Sequence, residues 1–220
     1  HASGIAGHDV VKHALDTWSE DGRELSCTHD ANAWPSDRYA GLPAPDAGER
    51  VALWVQNSHP SPIPRRSVGL NVMGTDEICW LDRDVAPFGT VEIDVAELLP
   101  GVRWPRQIEV RAGKHFVRPR YEILGRGKRP RIAHVNVERA DLEPDPNIAE
   151  LGNLLGKGFI LPAPILPPQR WRTVALPTPM ATSQDELPIA ALAIDASGRE
   201  VARLRLGRLP RGHATAVDLT

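Results

Sequence analysis

Residues 89–95 read Gly-Thr-Val-Glu-Ile-Asp-Val, and the reading of this stretch decides the fold class. In an extended chain Val91, Ile93 and Val95 share one face, while Thr90, Glu92 and Asp94 share the other. A period of two places apolar groups on one side and polar groups on the other, the pattern of a half-buried strand. The same cadence continues on both sides. Residues 51–55 (Val-Ala-Leu-Trp-Val) form a β-type run stopped by Asn57 and by Pro60, Pro62 and Pro64. Residues 67–73 alternate through Val68, Leu70 and Val72, and 77–81, 107–111, 115–124 and 131–139 follow. Seven short strands in about 90 residues, each bounded by turn residues, predict an antiparallel β-sandwich.

Composition agrees with that reading. The chain has 220 residues with 21 prolines and 18 glycines, more backbone punctuation than a helical bundle tolerates. Hydrophobic residues make up 41% and charged residues 25%, which is ordinary for a globular chain. A net charge of −2 gives no basic field for nucleic acid or anionic lipid. No apolar run approaches the roughly 20 residues that would span a bilayer as a helix.

Two helices are predicted. Val11, Ala14, Leu15 and Trp18 fall at the i, i+3, i+4, i+7 spacing of an amphipathic helix over 8–18. Asp145-Pro146 reads as an N-cap followed by proline, opening a helix near 146–155 with Ile148, Leu151, Leu154 and Leu155 on one face. Residues 26–48 read as irregular, and 159–169 as a proline-rich extended segment. Strands return at 172–176, 187–194, 200–206 and 213–219, with the Asp195-Ala-Ser-Gly198 turn joining the middle two. The expected organisation is an N-terminal helix and irregular segment over 1–48, packing on a first β module over 49–140. A helix, proline-rich segment and second β module then occupy 141–220.

The closing strands, with the 195–198 turn and the Pro210–Leu219 segment, resemble those of bacterial immunoglobulin-like or fibronectin-type-III-like modules. The resemblance implies a mainly β, Ig-like sandwich of one or two modules and carries no catalytic residue across.

Several constellations could carry chemistry. On the expected hairpin 115–124/131–139, Arg118, Arg120 and Glu122 share a face of one strand, and His134, Asn136 and Glu138 share the facing side of its partner. The expected register pairs Glu122 with His134, Arg120 with Asn136 and Arg118 with Glu138. Such a face can grip a carboxylate, a sulfate or sugar hydroxyls. Charged cross-strand ladders also serve simply to keep a sheet face in water. Trp18 and Trp54 sit in periodic apolar contexts and are expected in the core. Trp34, Trp80, Trp104 and Trp171 lie near prolines, charges or strand ends, where a tryptophan stacks on a sugar ring or plugs the end of a sandwich. Trp104 joins the six hairpin residues as the expected ligand-binding set.

The chain begins at His1, a trimmed or a processed terminus. As a mature terminus, its amine and imidazole would resemble the histidine brace of lytic polysaccharide monooxygenases. That resemblance implies copper, with a second ligand from His59, His115 or His134. Cys27 and Cys79 could close one disulfide in an exported protein or remain reduced. Phosphate-loop, nucleophile-elbow and zinc-ligand spacings do not occur. The leading expectation is a non-catalytic binding or structural module of a larger secreted, periplasmic or cell-surface protein, recognising a glycan or protein partner. The alternative is an enzyme, a copper-dependent oxidase through His1 or one whose site is assembled from distant residues.

Overall fold

The computed structural model describes residues 14–18, 20, 25–29, 35–116, 119–125, 128–137, 164–180 and 185–220. Among these the chain is mainly β, in several antiparallel sheets with no barrel, and its helix is a single turn, α1 (Val95–Leu98). The chain divides into two compact units, 1–138 and 139–220.

The first unit contains β1 (Ala14–Trp18), β2 (Leu25–His29), β3 (Arg38–Pro43), β4 (Glu49–Gln56), β5 (Gly69–Val72), β6 (Cys79–Trp80) and β7 (Thr90–Asp94). After α1 come β8 (Gln107–Arg111), β9 (Arg120–Gly125), β10 (Lys128–His134) and β11 (Asn136–Val137). One sheet has the order β10-β9-β4-β7 and another the order β11-β3-β8-β5-β6. Alternation supplies the core. Val51, Leu53 and Val55 from β4 and Ile93 from β7 pack in one cluster with Tyr39, Leu42, Leu70, Ile108 and Val110 from the five-stranded sheet. Burying each such side chain contributes roughly 1.5–3 kcal/mol before ordering costs. Val91, Ile93 and Val95 all join or pack against this cluster, as the opening stretch predicts. Asp94 caps α1 by accepting from the N–H groups of Ala96 (2.9 Å) and Glu97 (3.3 Å).

Three sequence expectations are corrected here. Ala14–Trp18, the described part of the expected helix at 8–18, is a strand paired with β2, from Ala14 opposite His29 to Trp18 opposite Leu25. An isolated helix of three turns is marginal, and a ladder to a second extended stretch outcompetes it. Trp18 is 66% exposed rather than in the core. The stretch expected to be irregular, 26–48, supplies β2 and β3. Glycine and proline density hides β3 from a propensity reading. Its Gly41 (φ 84°) lies where the register to β8 shifts between Tyr39 and Leu42, at a bulge that suits a residue without a side chain. Beside the four-stranded sheet, the Ser26 hydroxyl on β2 accepts from the Ile132 N–H (2.7 Å) and donates to the Ile132 carbonyl (3.0 Å) on β10.

The second unit contains β12 (Val174–Ala175), β13 (Glu186–Ile194), β14 (Glu200–Pro210) and β15 (Val217–Asp218), paired β12-β15 and β13-β14. The 195–198 turn forms as expected: Asp195 Oδ1 accepts from the N–H groups of Ser197 (2.9 Å) and Arg199 (3.0 Å). Arg172 pairs with Asp218 at 2.8 Å across β12 and β15, and with two hydrogen bonds from Thr220's side this holds the Asp218 carboxyl at about 2. The expected helix near 146–155 lies outside the described residues.

Candidate functional site

The face expected to bind a ligand is assembled only in part. β10 meets β9 with His134 opposite Arg120 and Ile132 opposite Glu122, two residues away from the expected register. The reason is a sheet change. The chain leaves β10 at Val135, which is fully buried, and Asn136 pairs with Ala40 in the five-stranded sheet. Arg120, Glu122 and His134 therefore share the outer face of the four-stranded sheet, while Asn136 stands on the other sheet. Arg118 and Glu138 lie outside the described residues, and Trp104 sits half-buried in the turn before β8.

That outer face is largely closed by its own contacts. Trp54, placed in the core by its sequence context, is half-buried on this face and donates from Nε1 to Glu122 (3.1 Å). Arg50 pairs with both Glu92 and Asp94, the latter at 2.6 Å. These pairs raise the Arg50 pKa, chiefly through its hydrogen bonds to the two carboxylates.

A second site lies on the outer face of the five-stranded sheet. Register aligns Arg38 (β3) with Arg111 (β8), Arg111 with Gly69 (β5), and Gly69 with Trp80 (β6), a row across four strands. Gly69 makes room for the indole: a Cβ at Gly69 would lie 2.8 Å from Trp80 Cε3 and 2.7 Å from Ile78 Cγ2. The ring thus covers the strand where a side chain would stand, and Trp80 remains 40% exposed. Around it opens a shallow depression of about 390 Å³, lined also by Asp37, Arg66 and His115. Arg66 (φ 61°), which lines it, and Lys114 (φ 59°), between the lining residues Gly113 and His115, have backbone in the left-handed region, which costs non-glycine residues energy and gathers at functional sites.

The charges along the row are compensated unequally. Glu109, 2% exposed, accepts from Arg111 (3.2 Å) and from the amide of Asn71 (2.8 Å), while Arg111 Nε donates to Asn71 Oδ1 (2.8 Å). Arg111 is therefore fixed in place and neutralised by a carboxylate beside it on the same face of β8. Asp37 is engaged by Lys114 at 3.4 Å, and Arg66 lies 3.7 Å from Asp82. Arg38 has no anionic partner among the described residues. Trp80 was among the tryptophans that sequence context left near charges. Arg38 was missed because its strand reads as loop, so no face could be assigned to it. The signal that could have found the site is glycine and tryptophan in two neighbouring strand candidates.

Of the three histidines expected as metal ligands, two lie among the described residues. His115 follows β8 beside the depression, His134 lies on β10 in the other sheet, and His1 is outside the described residues. Among the described residues no group of three or more histidine, cysteine, aspartate or glutamate side chains is placed to hold a metal ion. Cys79 is a free thiol, half-buried against the core. No protein family model, curated protein or solved structure matches this chain.

Proposed function

We propose that the first unit is an Ig-like β-sandwich that serves as a non-catalytic recognition module of a larger secreted or cell-surface protein, binding a glycan. The observation that carries the reading is Trp80, laid over Gly69 on a sheet face and still 40% exposed. An indole supported from behind and open in front is a stacking surface for a sugar ring, bought at little conformational cost because its position is already fixed. The flanking arginines and His115 supply directional donors for hydroxyls or acidic groups. The depression is shallow and open, which suits a segment of a polymer lying across it. Two sheets with one shared core support the sandwich part of the proposal.

Affinity electrophoresis through gels containing soluble polysaccharides tests this. Retardation by at least one polysaccharide, lost in Trp80→Ala and kept in Trp104→Ala and Trp171→Ala, is expected. Release of new reducing ends during prolonged incubation, or equal retardation of the Trp80 variant, would overturn the reading.

A further inference from the structure

We infer that the ligand of the Trp80 face is an acidic saccharide, its ring stacked on Trp80 and its anionic group held by Arg38. This rests on the proposal that the face recognises a glycan, and it goes further by assigning the charge of the sugar.

The argument begins with the register. Arg38 and Arg111 stand directly opposite each other on β3 and β8. Like charges in that position repel, and a sheet normally avoids them. Glu109 answers one of the two. Its buried carboxylate sits beside Arg111 on the same face, also holds Asn71, and receives the Gly74 N–H at 3.3 Å, so it is committed. Arg38 is left as an exposed guanidinium beside a cation whose own counterion is spoken for. The pair is suited to an anion that arrives from solution, and a guanidinium recognises carboxylate or sulfate through two parallel N–H donors.

Spacing selects a sugar over a simple anion. Trp80 is two strands from Arg111 in the same row, with Gly69 between them. Neighbouring strands lie about 4.8 Å apart, so Trp80 and Arg38 are separated by roughly 14 Å across three intervals. One hexose ring does not cover that distance, whereas two or three linked residues do. The indole lies over Gly69 on the neighbouring strand and shortens the gap. The site therefore fits a short run of an acidic polysaccharide: one residue on the indole, and the carboxylate or sulfate of a neighbour on Arg38. An acidic peptide without proline could satisfy Arg38 but offers no saturated ring for Trp80.

The test uses the whole chain and three probes: oligogalacturonate, the same oligosaccharide fully methyl-esterified, and inorganic polyphosphate. Binding is measured by quenching or shift of tryptophan fluorescence at low and at moderate salt. The expected result is saturable binding of oligogalacturonate that weakens with salt. Esterification and Arg38→Gln should each lower the affinity about tenfold, the size of one charge-assisted contact, with Arg38→Lys intermediate. Without ligand, Arg38→Gln should unfold at the same or a higher temperature, because it removes a like-charge neighbour; this separates lost recognition from lost folding.

Equal affinity for the acid and its ester overturns the charge assignment and leaves glycan recognition standing. Polyphosphate binding that matches oligogalacturonate and survives Trp80→Ala overturns both, since the face would then be a charge patch only. A sulfated oligosaccharide bound in place of the uronate, with the same dependence on Trp80 and Arg38, supports the inference and identifies the anionic group.

Discussion

The two units use the same alternation and arrive at opposite ends of the burial scale. In β4 of the first unit, Val51, Leu53 and Val55 are fully buried because a second sheet presents its own apolar face to them. In the β13-β14 hairpin of the second unit, Leu192, Ile194, Val201 and Leu204 are 45% to 58% exposed. Both segments read as strands for the same reason, a period of two. What differs is the presence of a cover, and alternation in one segment contains no information about what lies opposite it. Period specifies the strand; topology specifies the core.

The contrast can be broken or sharpened by substitution. The largest effect is expected at Glu109, whose removal leaves Arg111 and the Asn71 amide without their buried partner. Glu109→Ala should cost about 3–5 kcal/mol in urea denaturation. Leu53→Ala comes next, at about 2–4 kcal/mol for a cavity between packed sheets, whereas Leu204→Ala in the exposed hairpin should stay within about 0.5 kcal/mol. Equal losses at Leu53 and Leu204 would mean that the hairpin is covered in solution, and the comparison between the units would fail. Ser26→Ala should cost about 1 kcal/mol, because two hydrogen bonds to Ile132 are lost at a partly wet boundary.

The smallest effect concerns Asp218. Its carboxyl is held at about 2 by Arg172 and the Thr220 contacts, against an ordinary value of 3.8. A carboxyl held low in the folded chain contributes stability that is complete above 3.8 and is lost as the pH falls toward 2. Arg172→Gln should bring the Asp218 titration, followed by carboxyl carbon NMR, back toward 3.8 with little change in stability at neutral pH.

The strand content of the first unit was legible because Val91, Ile93, Leu53 and Leu70 obey a local rule that needs no partner. The register of β9 and β10 was not. It depends on Val135 diving into the core and carrying Asn136 to the other sheet, a long-range event with no local signature. Trp54 and Trp18 were misplaced for a related reason: an apolar neighbourhood in sequence says nothing about which face of a sheet is covered. The Trp80 face was half legible. Tryptophan near charges flagged a possible stacking residue, but the row from Arg38 to Trp80 exists only once β3, β8, β5 and β6 are aligned.

Ser26 carries a consequence for the behaviour of the protein at high concentration. Its hydroxyl occupies the N–H and the carbonyl of Ile132, the groups that the outermost strand of the four-stranded sheet would otherwise offer to any passing extended chain. The strand β2, tied on by this hydroxyl, thus stands where a foreign backbone would dock and acts as a stopper against polymer growth from that border. Alanine at this position should reveal itself less in the melting curve than in the onset of light scattering when the solution is concentrated.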